Sequence, residues 1–456
     1  MISKSARTPK TSNQKRKLGF WTQVAITFFI VSGGPYGLET AVAEIGPAWT
    51  TALVILIPLL WALPTGLMVA ELSSMISEQG GYYVWVRTAL GEFWGFQEGW
   101  WTLCYSAVDL AIYPVLFITY LSYFYPEAAS NMAFRFALCS VFVTAAVLMN
   151  LRGSLFVGMH KVFEVLLVSS PFVIFLIIGI QNHFWVSTAA AISAGVSQNL
   201  EPAGLAAGLA ILIWNFTGWD NATTYADEVH DPGFTIPKTV FAAITLVVLS
   251  YLLSLLVGFS ITTDPKVWGE TSGWPEILSR AGGPWLGTLT ALTAVISAWA
   301  LFNSQLLYIA RLPAAMAKDS LLPKALMKTS QKTAVPVYSL IACGVCALVF
   351  SNLSFGKLMV LDILLYSLGL ALEFIALIRL RQTEPEHYRP FRIPLPTWGL
   401  VMMSMAPLAL AVVVAVSSVS GENGSSLQII ICAIAIVVGL LLGAKFRKSQ
   451  TLKFSK

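Results

Sequence analysis

The sequence predicts an all-α integral membrane protein with twelve transmembrane helices, and three observations support this fold class. Only 11% of the 456 residues are charged and 56% are apolar, with a mean hydropathy of +0.73, whereas a soluble domain has about 25% charged residues. Apolar runs of 17 residues or more recur along the chain, and lysine and arginine are concentrated in alternate loops. This composition excludes a disordered chain, a nucleic-acid-binding protein and most soluble enzymes.

The twelve predicted spans are separated by mostly short connections. A run of about 20 apolar residues is long enough to cross the hydrocarbon core as a helix. The predicted spans cover residues 20–45, 49–75, 92–122, 133–150, 157–180, 203–228, 239–262, 284–311, 335–352, 357–379, 398–420 and 427–444.

The basic residues predict the orientation of these spans. With twelve spans both chain ends lie on one side, and that side carries 24 of the 28 lysine and arginine residues. Because positive charge accumulates on the cytoplasmic side, we expect both termini in the cytoplasm, as basic tails of residues 1–19 and 445–456. We expect the plasma (inner) membrane as the location, with the lipid bilayer as a partner and no nucleic acid.

Two predicted helices contain sequences that disfavour a continuous helix. Residues 32–37 of helix 1 read SGGPYG, and residues 214–221 of helix 6 read WNFTGWDN. Glycine costs about 1 kcal/mol and proline about 3 kcal/mol inside a helix. A proline kink in helix 1 and a packed polar face in helix 6 are the alternatives. We favour two unwound segments, because interrupted spans at corresponding positions of two halves indicate the binding site of a transporter.

Acidic residues within or near the spans are a second functional signal. A charge at mid-bilayer costs about 2.5–3.5 kcal/mol, and no lysine or arginine occurs near the centre of a predicted span. Such acids therefore persist either by binding a proton or by binding a cation from outside. The acids concerned are Glu39, Glu44, Glu71, Glu98, Asp109, Glu164, Asp220, Asp362 and Glu373.

Three of these acids are predicted to act in binding and in proton coupling. Glu39 follows Pro35 by one turn, Asp220 follows the helix 6 glycine, and Asp109 lies in the middle of helix 3. Aromatic side chains near the breaks add cation–π contacts or form gates, at about 0.5–2 kcal/mol each. The predicted binding residues are Ser32, Gly33, Gly34, Tyr36, Glu39, Asp109, Tyr113, Trp214, Asn215, Phe216, Gly218, Trp219, Asp220 and Tyr308.

Several stretches share a pattern with a known family. They are SGGPYGLE at residues 32–39, AEL at 70–72, GGY at 80–82, FWGFQ at 93–97 and the segment 109–116, with shorter matches at 228–237, 315–323 and 391–394. In these residues the chain resembles the amino acid–polyamine–organocation (APC) superfamily of transporters. Its N-terminal third is most similar to the polyamine-uptake transporters of plants and protozoa and to their bacterial relatives.

This resemblance implies two inverted five-helix repeats, residues 20–180 and 203–379, followed by two extra helices at 398–444. It implies alternating access around helices 1 and 6, both unwound in mid-membrane. In amino acid permeases of the superfamily the helix 1 glycines hold the substrate carboxylate, an aromatic matching Trp214 gates the substrate, and an acid matching Asp220 couples to protons. In the polyamine group, acids on helices 1, 3 and 6 are expected to take the ammonium ends.

The sequence departs from this pattern at three positions. The polyamine group often has a second acid after the one matching Glu39, where this chain has Thr40, and an acid where it has Thr65. Some amino acid permeases carry a helix 5 lysine in place of a sodium ion, and here the matching residue is Ser170. Fewer acids weaken the case for a multiply charged substrate, and the serine leaves the coupling ion open.

The leading hypothesis is a secondary active transporter that imports an organic amine, either a polyamine or a cationic amine, coupled to protons rather than sodium. The alternative is a proton-coupled permease for neutral or cationic amino acids, and a channel or sensor is a third interpretation. The chain has no HExxH, Walker A or GxGxxG motif. We therefore expect no metal, no cofactor and no enzymatic activity.

Overall fold

The computed structural model describes residues 20–76, 81–152, 161–195, 200–219, 232–269, 273–318, 322–330, 333, 335–420 and 426–454. Within these ranges the chain is almost entirely helical, as the sequence predicts. The first half contains α1 (Phe20–Ser32), α2 (Leu38–Ile57), α3 (Leu63–Met75), α4 (Gly81–Leu90), α5 (Glu92–Leu121), α6 (Glu127–Ser130), α7 (Met132–Leu151), α8 (Lys161–Gln181) and α9 (Trp185–Gly195).

The second half continues in the same all-helical pattern. It contains α10 (Pro202–Trp214), α11 (Pro232–Ile261), α12 (Pro265–Gly269), α13 (Gly273–Gly282), α14 (Pro284–Ile309), α15 (Arg311–Lys318), α16 (Val337–Phe350), α17 (Phe355–Thr383), α18 (Thr397–Val419) and α19 (Leu427–Phe454).

The apolar composition of these helices is that of an integral membrane protein. In the described part of the chain, nine helical stretches are long and apolar enough to cross a bilayer, and α10 and α16 are shorter apolar helices. Predicted spans 92–122, 357–379 and 398–420 agree with α5, α17 and α18 to within four residues at each end. The hydropathy pattern therefore locates these three helices correctly.

The first two predicted spans have a more complex course than the hydropathy pattern indicates. Helix α1 ends at Ser32 and α2 begins at Leu38, so the first span is interrupted where the glycines lie. The predicted boundary between spans 1 and 2 is a kink inside α2, where Gly46 has φ 75° and ψ 169° and is followed by Pro47. Glycine is favoured there because a left-handed backbone costs a residue with a Cβ about 1–2 kcal/mol.

Several short helices occupy segments that the sequence assigns to connections. The clearest is α13, in which Trp274, Ile277 and Leu278 are fully buried. Their spacing of three and four residues gives one apolar face. Because α13 is only ten residues long, a search for spans of 17 residues cannot detect it.

Helices α5 and α17 form a central pair. The rings of Tyr105 and Tyr366 meet edge to face with centroids 5.1 Å apart, and Gly369 lies against the Glu98 carboxylate. Residue numbers therefore rise in opposite directions along the contact, so the two helices are antiparallel. Helix α14 packs on another side of α5, and this arrangement brings polar residues of three helices together.

A buried ion pair connects α3 to α17. The Arg381 guanidinium donates from Nε and Nη2 to the two carboxylate oxygens of Glu71, both at 2.6 Å. Arg381 also donates to the carbonyls of Ile393 and Leu395, and the Ile393 amide donates to Glu71. Glu71 is fully buried and Arg381 is 7% exposed. Glu71 is therefore neutralised within the protein, unlike an acid that depends on a proton or an external cation.

We expect Glu71→Gln to destabilise the protein by about 3–5 kcal/mol, because it leaves the buried Arg381 charge uncompensated. A thermal melt of the detergent-purified protein measures the effect. The control is Glu276→Gln, which breaks the exposed pair with Arg280 and is expected to change stability by less than about 1 kcal/mol. Equal melting temperatures for the two variants would contradict the assigned role of the buried pair.

Candidate functional site

The carbonyl groups released between α1 and α2 are bound by side chains from distant parts of the chain. Ser297 Oγ on α14 donates to the Gly33 carbonyl at 2.8 Å. The Trp274 indole on α13 donates to the Pro35 carbonyl at 2.7 Å. Unsatisfied backbone groups cost several kcal/mol in an apolar environment. These two contacts therefore help to hold the helix break in its observed conformation.

The amide groups of the same segment are also engaged. The Gly34 N–H donates to Ser32 Oγ at 3.1 Å, and the Gly37 N–H donates to the Tyr120 hydroxyl at 2.9 Å. The Tyr120 hydroxyl in turn donates to Glu39 Oε1 at 2.6 Å. Tyr120 thus connects α5 both to the break and to the acid that follows it.

Glu39 lies in a buried environment at the start of α2. Its side chain is 3% exposed, and Oε2 has no hydrogen-bond partner among the described residues. Gly273 packs directly on the Glu39 side chain, leaving no room for a Cβ. Tyr36 belongs to the same region: its hydroxyl shares a 2.7 Å hydrogen bond with Thr293 and its ring meets Tyr120 edge to face.

Helix α10 ends at Trp214, inside the predicted span 203–228, and residues 215–219 that follow it are not α-helical. The Tyr251 hydroxyl on α11 donates to the Asn215 carbonyl at 3.1 Å. The Trp219 indole donates to the Phe216 carbonyl at 2.7 Å. As between α1 and α2, aromatic side chains donate hydrogen bonds to backbone carbonyl groups that have no partner within a helix.

A cavity of about 40 Å³ lies where α1, α5, α14, α17 and the end of α10 meet. It is lined by Val31, Tyr105, Ser106, Asp109, Tyr113, Trp214, Thr217, Gly218, Gln305, Tyr308, Ile309, Asp362 and Tyr366. The cavity is thus bounded by helices from both halves of the chain.

Two buried carboxylates face this cavity. Asp109 on α5 accepts the Trp214 indole N–H at Oδ1, at 3.0 Å, and the Tyr113 hydroxyl at Oδ2, at 3.4 Å. Asp362 on α17 is 2% exposed, and its Oδ1 has no hydrogen-bond partner in the described part of the chain. The cavity therefore combines one acid oriented by aromatic donors with one acid that retains an open acceptor.

Aromatic rings form much of the wall around these acids. Trp214 and Tyr113 have centroids 6.3 Å apart, and the Tyr308 hydroxyl is 3.3 Å from that of Tyr82. None of the described lining residues is lysine, arginine or histidine. Carboxylates and aromatic faces attract an ammonium group by charge and by cation–π interaction. The arrangement is therefore suited to an organic cation.

The structure brings only some of the predicted site residues together. Five of them line the cavity, namely Asp109, Tyr113, Trp214, Gly218 and Tyr308. Eight others are absent from its lining and lie at the end of α1, at the start of α2, between these two helices or just after α10, namely Ser32, Gly33, Gly34, Tyr36, Glu39, Asn215, Phe216 and Trp219. Asp220, the remaining predicted acid, lies outside the described residues.

Several lining residues were not among those predicted from the sequence. Tyr105 and Ser106 lie one turn before Asp109 on α5, and Tyr366 lies one turn after Asp362 on α17. Residues three and four apart share a helix face. This periodicity could have identified Tyr105 and Ser106 from the sequence, but it gives no indication that Asp362 would line the same cavity as Asp109.

A family profile matches nearly the whole chain. The profile describes amino acid permeases and covers residues 18–445. The chain belongs to the amino acid permease family. Together with the apolar helices described above, this membership makes the permease an integral membrane transporter.

Individual relatives of the permease include plant proteins that match it over most of its length. It is 32% identical over 455 residues to polyamine transporter RMV1 of Arabidopsis thaliana, covering 98% of this chain and 89% of that protein. It is 33% identical over 439 residues to polyamine transporter PUT1 of Oryza sativa subsp. japonica, covering 95% and 79%. The uncharacterized transporter Rv1999c of Mycobacterium tuberculosis is 24% identical over 286 residues, 60% of each chain.

Replacing Tyr120 by phenylalanine tests its role as the connection between α5 and the first break. The change removes the acceptor of the Gly37 N–H and the donor to Glu39, and we expect a loss of about 1–3 kcal/mol of stability, because buried polar groups are left unpaired. The melting temperature of the purified permease measures it. The control is Tyr125→Phe at a side chain that is 63% exposed, and an equal effect of both substitutions would disprove the connection.

Proposed function

We propose that the permease is a secondary active transporter that imports an organic amine, a polyamine or another cationic amine, by alternating access. The observation that carries this proposal is the cavity in which Asp109 and Asp362 lie among aromatic rings, with no basic side chain in its described lining. Such a cavity favours a cation over an anion, because a buried carboxylate is stabilised by a bound cation or proton and is repelled by an anion.

The identity of the relatives supports the same substrate class. Two plant proteins that match the permease over at least 95% of its length are named polyamine transporters. Identity of 32–33% over such coverage is enough to share a family but leaves the substrate of an individual member open. The site chemistry and the relatives therefore point to amines by independent routes.

We propose twelve transmembrane helices arranged as two inverted five-helix repeats and two further helices, with helices 1 and 6 unwound within the plasma membrane. Both termini then lie in the cytoplasm. The cavity of about 40 Å³ is smaller than the 150 Å³ cavity that is known to hold a benzene ring. An amine with several carbon atoms would therefore need the lining helices to move apart, as alternating access requires.

The driving force follows from the charge of the substrate. Each positive charge that moves inward through 100 mV gains about 2.3 kcal/mol, so a dication gains roughly twice that amount. We propose Glu39, Asp109 and Asp220 as the acids that carry the coupled proton. Glu39 is supported by its burial and by an Oε2 atom without a partner in the described ranges.

The amino acid alternative predicts that backbone amides of the first break bind a substrate carboxylate. In this conformation the Gly33 amide donates to Phe29, the Gly34 amide to Ser32 and the Gly37 amide to Tyr120. These three donors are already used, which makes the break a weaker anion site. The amine proposal is therefore favoured over an amino acid carboxylate.

The test is uptake into proteoliposomes of radiolabelled putrescine, spermidine, alanine and leucine at imposed pH and voltage gradients. We expect putrescine and spermidine to accumulate, and Asp109→Asn to lower their uptake at least about tenfold, because a charged acceptor is lost. Glu201→Gln, at an exposed acid before α10, is the control and keeps wild-type uptake. Uptake of alanine or leucine alone would refute the amine proposal.

Counterflow separates a carrier from a channel or sensor. Proteoliposomes preloaded with unlabelled putrescine are expected to take up labelled putrescine transiently above the external concentration, because a carrier exchanges substrates one for one across the membrane. A channel gives no such overshoot. The absence of counterflow in vesicles that do take up putrescine would contradict alternating access.

A further inference from the structure

Asp362 differs from Asp109 in how its carboxylate is satisfied. Asp109 accepts hydrogen bonds from Trp214 and Tyr113, which fix the orientation of its two oxygens. Asp362 is 2% exposed, and the structure gives its Oδ1 no partner among the described residues. A buried acceptor without a donor is costly. Asp362 therefore has the properties of a group whose partner is a ligand.

The two acids face one cavity from different helices. Asp109 lies on α5 and Asp362 on α17, and both line the same small space. The antiparallel contact of the two helices, with Tyr105 against Tyr366 one turn away, places the two acids at a similar level along this contact. A ligand that enters the cavity therefore meets a carboxylate on each of two walls.

Another buried acid of the permease, Glu71, has a cationic partner within the protein. Glu71 is fully buried but receives the Arg381 guanidinium at 2.6 Å from both carboxylate oxygens. The described lining of the cavity, in contrast, contains no lysine, arginine or histidine. Positive charge for Asp109 and Asp362 must therefore come from outside the lining.

The combined charge of Asp109 and Asp362 discriminates between substrates with one ammonium group and substrates with two. A substrate with one ammonium group compensates one carboxylate. The other carboxylate then stays buried without a counter-charge, or it binds a proton. A substrate with two ammonium groups compensates both. Because charge-assisted hydrogen bonds are roughly twice as strong as neutral ones, the second ammonium group adds a selective contact that a hydroxyl at the same position cannot match.

We propose that Asp362 is the second ammonium acceptor of the binding site, so that Asp109 and Asp362 together select diamines and longer polyamines over monoamines. This inference rests on the proposed amine transport and names the substrate class within it. Asp362 determines specificity: Asp109 receives one end of the substrate and Asp362 receives the other.

The test compares putrescine with 4-aminobutan-1-ol, which has the same chain length and a hydroxyl group in place of one ammonium group. Concentrations that give half-maximal uptake of each labelled compound are measured in proteoliposomes for the wild type, Asp362→Asn and Asp362→Glu. We expect the preference for putrescine to fall at least about tenfold in Asp362→Asn and to be partly restored in Asp362→Glu, which keeps the charge. Glu201→Gln serves as the surface control and keeps the wild-type preference.

Three results would overturn the proposal. Asp362→Asn could weaken the uptake of both compounds by the same factor, which would indicate a packing role. It could leave the preference unchanged. It could also keep the preference but abolish accumulation driven by a pH gradient, which would assign Asp362 to proton coupling. If the wild-type permease takes up neither amine, the proposed function itself fails, and this outcome is distinct from the other three.

Discussion

The organisation of this permease depends on one constraint: a backbone group released from a helix inside an apolar protein must find another partner. The break between α1 and α2 meets it with Ser297, Trp274 and Tyr120, which come from three other helices. The backbone just after the end of α10 meets it with Tyr251 from α11. The backbone geometry at these two places therefore depends on side chains that are far away in the sequence.

The same reasoning applies to buried charge. Glu71 and Arg381 compensate each other and attach the segment around Ile393 to α3, so this acid stabilises the fold. Asp109 and Asp362 lie in a cavity whose described lining offers no cation. Buried carboxylates thus have different consequences in the two environments, because Glu71 is paired with an arginine and the described lining of the cavity includes none.

Helical periodicity explains how far the site could be predicted. The sequence identifies Asp109 because an acid is unusual in an apolar run. It identifies aromatic residues such as Trp214 because they lie beside a sequence that disfavours a continuous helix, and Tyr113 was grouped with them. Glu39 and Tyr36 were grouped with them but contact Tyr120 instead and are absent from the lining of the cavity. Asp362 was recognised as an intramembrane acid without an assigned role, since its position in the cavity depends on how α17 packs against α5.

The sequence by itself determined the all-helical membrane class, the positions of several long helices and the glycine-rich segment that separates α1 from α2, because these depend on local composition and on backbone propensities. The tertiary structure decided which acids share a cavity and which are neutralised by arginine. It also decided that α13 packs its indole onto the first break. These outcomes depend on contacts between residues up to about 320 positions apart, and no local pattern specifies them, because hydropathy records how apolar a helix is but not which neighbour it faces.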